Sequence, residues 1–422
     1  MYSFFELRTE QIAMIESVEK KIAPRLNQID KIVEYNQAKV LQAFREFNVS
    51  DFHLNSSTGY GYNDSGRETL DRIYATVFGA EDALVRPHIV SGTHAIAIGL
   101  FGLLRPGDEL LYITGAPYDT LEEVIGIHGN GMGSLQEWGV SYSVLPLSCT
   151  GKVDYPNLTQ AITPATKVVA IQRSKGYSWR QSFSIAEIAE MVKQVRKIKP
   201  EAIIFVDNCY GEFTERLEPT AVDADIIVGS LIKNPGGGLA KLGGYLAGKA
   251  RYIEQISYRL TAPGIGRKVG ATSGNQQDFY QGFFLAPHFV GEALKGMVLA
   301  AALFAELGYE VTPKWDEERT DIIQAIKFNR ADYLISFIQA IQQGSPIDSY
   351  VKPIASVVPG YQNQVIMAAG VFVQGGTLEL SGDAPIVAPY IGYLQGGLTY
   401  QHVKWALLTA LMQIAVNPNH LT

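Results

Sequence analysis

The chain has 422 residues, 47% of them hydrophobic and 18% charged, with a net charge of −7. That length exceeds the roughly 250–300 residues at which a single core stops growing, so two lobes are expected. The acidic balance, without any basic run, excludes a nucleic-acid surface or an anionic membrane as partner and leaves a small molecule.

The N-terminus, MYSFFELRTEQIAMIESVEKKI, is charged throughout and has no signal-peptide pattern. Its only cysteines, Cys149 and Cys209, stand far apart, which fits a reducing cytoplasm better than a disulfide framework. Residues 9–48 carry apolar side chains at three- and four-residue spacing (Ile12, Ile15, Val18, Ile22, Leu26), so residues 1–50 are expected to form a helical arm. From Ala83 to Gly248 short β-branched runs alternate with helical segments. The runs are ALVRPHIVSG, DELLYITG, VSYSVLPL, KVVAIQR, AIIFVDN, DIIVGS and GGYLAG, and their alternation predicts an α/β domain over residues 51–285 with a mostly parallel seven-stranded sheet. A bridging helix at LAPHFVGEALKGMVLAAALFAELG then opens a smaller α+β domain, 286–422. It has strands near YEVTP, QVIMAAGVFV and TLELSG and a closing helix at YQHVKWALLTALMQIA. The longest apolar stretch, GMVLAAALFAELG, is shorter than the roughly 20 residues a bilayer requires.

Ligands of open α/β sheets bind beyond the carboxyl ends of the strands, and three such ends carry unusual residues. After the first run, Ser91, Gly92, Thr93 and His94 form a small-residue turn into an apolar helix. Its free N–H groups suit a phosphate, although the motif alone favours Ser91 or Thr93 as a simple N-cap and His94 as a packing residue. Asp207 ends five apolar residues, where an acid needs a cation. By itself it is a metal ligand, a capping acid or a general base, and no histidine stands at metal-ligand spacing. Lys233 follows the apolar run of DIIVGS and precedes Gly236, Gly237 and Gly238. A partly desolvated amine there has its pKa pulled down and becomes a nucleophile toward an aldehyde; the plain alternative is a snorkelling surface lysine. One ligand unites the three ends. Pyridoxal 5′-phosphate needs an amine for its aldehyde, a carboxylate for its ring nitrogen and a dipolar cradle for its phosphate.

Thr93, Asp207 and Lys233 in that order resemble the signature of fold-type-I pyridoxal-phosphate enzymes. TGYGYNDSGRETLDRIYATVFGAEDALVRPHIVSGTHAIA, LTAPGIGRKVGA and YLQGGLTYQHVK are similar to the methionine gamma-lyase family and its aluminium-resistance carbon–sulfur lyases, over about residues 5–415. The resemblance implies the type I transferase fold and a lyase releasing thiol, ammonia and a keto acid from cystathionine, cysteine or methionine. Transamination and a non-catalytic binding role are the alternatives. It implies that Lys233 bonds the cofactor and moves the α proton, Asp207 meets the ring nitrogen, and Ser91, Gly92, Thr93, His94 and Ser230 surround the phosphate and ring. Tyr118 would stack on the ring. Tyr60 and Tyr62 would reach the site of a neighbouring subunit in a homodimer or homotetramer, and the three glycines would pass close to that subunit. The chain departs from the better-known lyases at Ile232 (threonine before the lysine) and Asp119 (cysteine after the tyrosine). It departs from the aluminium-resistance group at Val387, where that group carries an arginine. Arg173 and Arg180 are therefore the candidates for the substrate carboxylate, with a surface ion pair as the plain alternative for either.

Overall fold

The computed structural model describes residues 9–358 and 361–413. The expectations for MYSFFELR and for the last two residues of the closing helix lie outside the described residues. In chain order the elements of the first part are α1 (Thr9–Glu46), α2 (Ser65–Phe78), β1 (Asp82–Arg86), α3 (Gly92–Leu103), β2 (Glu109–Tyr112) and α4 (Glu122–Ile125). Next come β3 (Ser141–Val144), α5 (Tyr155–Ala161), β4 (Thr166–Gln172), α6 (Ile185–Ile198), β5 (Ile203–Asp207), β6 (Ile226–Ser230), β7 (Gly244–Gly248) and α7 (Ala250–Leu260). The second part holds α8 (Gln276–Glu306), β8 (Glu310–Thr312), β9 (Ile323–Lys327), α9 (Ala331–Gln343), β10 (Val365–Ala368), β11 (Ser381–Pro385), β12 (Ile391–Gln395) and α10 (Tyr400–Gln413).

Two compact units result: Asn36–Gly176 with Ser182–Ala286, and the described parts of Met1–Tyr35 and Pro287–Thr422 with Tyr177–Gln181. The first unit contains the seven expected strands in the order β1-β7-β6-β5-β4-β2-β3, with β7 alone antiparallel to its neighbours. Strands β6 and β7 are buried along their whole length, which explains their unbroken apolar and glycine character. α3 is apolar and packs on β6, β7 and α7. Its Gly99 permits that approach, since a Cβ there would lie 2.6 Å from the Phe205 ring. In β5, Ile203, Ile204, Phe205 and Val206 are at most 1% exposed. Each contributes about 1.5–3 kcal/mol by burial, enough together to hold an acid, Asp207, at the strand mouth.

The second unit is built on a five-stranded antiparallel sheet, β10-β11-β12-β9-β8. Strands β9 and β12 were not among the expected ones, and TLELSG corrects differently. Residues 377–380 form no strand because the Glu379 carboxylate, 4% exposed, accepts from the amides of Phe372 and Val373 at 2.8 and 2.9 Å. That knot folds the segment into a turn, and pairing begins only at Ser381. Helix α8, with 31 residues, is longer than the apolar run suggested and passes a bilayer-spanning test by length and composition; 72% of its apolar window is buried inside the protein, as in a core helix.

Candidate active site

The carboxyl ends of β5 and β6 are in register, Asp207 opposite Val228, so the loops that follow them leave the sheet side by side. The β6 strand brings Ser230, 1% exposed, to its end, and Lys233 follows at a tight turn in which its amide donates to the Ser230 carbonyl at 3.3 Å. The N-terminus of α3 closes on the same point. A Cβ on Gly92 would stand 3.2 Å from Cys209 Sγ, 3.6 Å from Ser230 Cβ and 4.0 Å from Lys233 Nζ. Gly92 thus leaves an open backbone surface facing the amine, and the first amides of α3 have no acceptor within the helix.

Ser91 is the N-cap of α3: its hydroxyl accepts from the His94 amide at 3.0 Å. His94 Nδ1 accepts from the Val90 amide at 3.1 Å, and burial lowers the pKa of its ring, favouring the neutral imidazole. The Thr93 hydroxyl pairs with that of Thr120 at 2.9 Å, which ties the loop after β2 to the start of α3. Tyr118, two residues before Thr120, is half-buried there and packs on the apolar core of the sheet.

Lys233 Nζ lies over the Tyr210 ring, 4.0 Å from its centroid. Burial disfavours the ammonium, but Cys209, Tyr210 and the Asp207 carboxylate face it and together hold its pKa above the ordinary lysine value. The expected depression is therefore corrected: the acids and hydroxyl around the amine outweigh its desolvation. Asp207 in turn is pushed up by burial, against the pull of Lys233, and accepts from the Cys209 amide at 3.1 Å. Sequence reasoning missed Cys209, Tyr210 and Glu212. The glycine of DNCYGEF was the available signal for a chain reversal, because Tyr210 and Phe213 flank it with φ of 73° and 63°.

Arg173 has no exposed surface. It donates to Asn208 Oδ1 at 2.8 Å and to Thr214 Oγ1 at 3.4 Å, and pairs with Glu215 at 2.7 Å and Glu218 at 3.3 Å, so its charge holds together the loop that follows Asp207. Gly211 makes room for it, since a Cβ there would fall 2.6 Å from the guanidinium. Arg180 lies in the other unit, 9% exposed, and donates to the Gln181 carbonyl at 2.9 Å.

Tyr60 and Tyr62 are 72% and 64% exposed and stack on each other with centroids 5.4 Å apart. Their loop is fixed from beneath: the Gly270 amide donates to the Tyr60 carbonyl at 2.9 Å, and buried Arg67 donates to the carbonyls of Gly61 and Gly270 at 2.8 Å. The glycines after Lys233 have a reason inside the chain. A Cβ on Gly236 would overlap the Leu231 carbonyl, and one on Gly237 would overlap the Gly282 carbonyl of α8. Among the described residues no group of three or more His, Cys, Asp or Glu is arranged to hold a metal ion.

A family model described as methionine gamma-lyase matches residues 11–415. The uncharacterized Bacillus subtilis protein YnbB is 57% identical over 395 residues, 93% of this chain and 94% of its own. A Listeria monocytogenes structure described as involved in aluminum resistance is 56% identical and covers 96% of this chain and 100% of its own, with a TM-score of 0.94. A carbon-sulfur lyase involved in aluminum resistance from Clostridium novyi is 49% identical over 98% of both chains, again with a TM-score of 0.94.

Proposed function

Since the chain belongs to the methionine gamma-lyase family, we propose that it is a cytoplasmic carbon–sulfur lyase that cleaves a small sulfur amino acid such as cystathionine, cysteine or methionine. Its cofactor is pyridoxal 5′-phosphate, and the residues present fit that group. The observation that carries the reading is the side-chain-free surface of Gly92, turned toward Lys233 Nζ, Ser230 and Cys209 at the start of α3. We assign the phosphate to the first amides of α3 and the hydroxyls of Ser230 and Thr93, the ring nitrogen to Asp207, and the ring face to Tyr118. When bound, pyridoxal phosphate supplies an electron sink for the pair left at the substrate's α carbon.

The placement of the protein groups supports the following roles. Lys233 would hold the cofactor through its Nζ and, as a free amine, would take the α proton. Raised as its pKa is, it needs the pull of Asp207 diverted, and an Asp207 carboxylate committed to a ring cation does that. Burial raises the Asp207 pKa against the pull of Lys233, so a cofactor cation beside the carboxylate would stabilise its charged form. Overall one C–S bond breaks, the sulfur leaves as thiol, and addition of one water yields ammonia and a keto acid. Arg173, enclosed by its glutamates, is committed to the loop after Asp207 and not to a substrate carboxylate. The outward Tyr60–Tyr62 stack on its braced loop supports a homo-oligomer in which each copy completes its neighbour's site.

The test is to add pyridoxal phosphate and then cystathionine, cysteine or methionine to the purified protein. Thiol and ammonia released together support the lyase; amino transfer to an added keto acid overturns it in favour of transamination. Failure to bind the cofactor overturns both and leaves a binding protein.

A further inference from the structure

The loop after β5 holds a second carboxyl that the chemistry above does not use. Glu212 is fully buried and lies against β6 at Gly229, where a Cβ would stand 2.5 Å from Glu212 Oε1 and from the Tyr245 ring. Because successive strand residues face opposite ways, Glu212 sits on the reverse side of β6 from the Ser230–Gly92 surface. Oε1 accepts from the Tyr245 hydroxyl at 2.8 Å. Oε2 has no hydrogen-bond partner among the described residues, and neither has Oδ1 of Asn234, the residue after Lys233. The two residues are joined nonetheless, since Asn234 Nδ2 donates to the Glu212 carbonyl at 3.0 Å.

A buried carboxylate oxygen without a donor is more costly than that of a neutral acid. Burial, reinforced by the Glu218 charge, accordingly pushes Glu212 up to about 8. The titratable groups around it are Lys233, Glu218, Cys209, Tyr245 of β7 and Tyr74 of α2. Of these, Lys233 is the cation.

We propose that Glu212 is a positioning residue for Lys233: it holds the Lys233–Asn234 turn through its carbonyl and, by gaining or losing its own proton, sets how firmly the Lys233 nitrogen keeps a positive charge. This rests on Lys233 being the lysine that carries the cofactor. With Glu212 neutral the nitrogen faces one fewer negative charge and releases its proton more readily; with Glu212 ionised the proton is retained. Proton movement at the site is thereby coupled to an acid beneath the sheet that touches neither substrate nor cofactor.

The experiment follows the visible absorbance of the full chain loaded with pyridoxal phosphate between about pH 6 and 10, for the native protein, Glu212→Gln and Tyr245→Phe. Gln keeps the size of the side chain and the acceptor for Tyr245 but cannot ionise. Its absorbance transition is expected about half a pH unit or more below the native one. Tyr245→Phe removes the donor that favours the ionised acid and should move the transition the same way by less. Coincident native and Glu212→Gln curves overturn the proposal, even where the variant melts at a lower temperature. Should Glu212→Gln fail to fold, an unmoved transition in Tyr245→Phe overturns it instead. A native protein with no visible band removes the cofactor assignment and this proposal with it, whereas a band with coincident curves removes this proposal alone.

Discussion

Two segments meet at Lys233 and are built on opposite principles. The start of α3, Ser91 to His94, offers backbone amides, small side chains and an imidazole whose pKa burial lowers. The loop from Asp207 to Glu218 offers four acids and encloses one arginine, with Arg173, Glu212 and Glu218 out of solvent. The first works through geometry that changes little with pH. The second works only as a complete set, because removing one partner strands a buried charge. On the roles proposed above, binding falls to one segment and control of protonation to the other.

The comparison breaks most severely if the amine between the segments is removed. Lys233→Ala should lower turnover by about 100- to 10,000-fold in steady-state assays while the fold survives, and a smaller loss would mean that neither segment serves this lysine. Next comes the charged segment itself. Arg173→Met leaves Glu215 and Glu218 uncompensated and should reduce stability in urea unfolding by about 3–5 kcal/mol; a change below about 1 kcal/mol would show that the loop does not depend on its arginine. A third experiment is read against pH. Folded Glu212 keeps its proton to about 8, against an ordinary value of 4.5. Between those values the folded form binds the extra proton, so native stability falls as pH rises, and Glu212→Gln escapes the fall. The variant's advantage in unfolding free energy should grow across that window by on the order of 1–4 kcal/mol and then level off. An advantage that shrinks with pH would mean the acid is ionised throughout. Smallest is the backbone segment: Ser91→Ala removes one cap and should cost about 1 kcal/mol in thermal unfolding, with no pH dependence.

The two segments also differ in how far the sequence discloses them. Lys233 and Asp207 were legible because a charge at the end of an apolar run breaks the pattern around it, and the seven large strands because their runs are bounded by glycines and polar turns. Glu212 and Tyr210 were not, because nothing in DNCYGEF tells which side chains turn inward once the chain reverses at left-handed Tyr210 and Phe213. In the second unit β9 was hidden by Gln324, a polar residue with no exposed surface whose amide donates to the Pro313 carbonyl at 3.1 Å. Local polarity argued for a loop, and tertiary bonding overrode it. For Gly236 and Gly237 a reason within the chain was not legible, since their sequence names no partner and the Gly282 backbone lies 45 residues beyond Gly237.

That glycine seam has a practical consequence for redesign. Positions 236, 237 and 282 have no room for any side chain, so a library that varies them would yield mostly misfolded protein. Ile232, Leu239 and Lys241 are partly or fully exposed on the same loop. A library on that loop has its usable sequence space at those three positions.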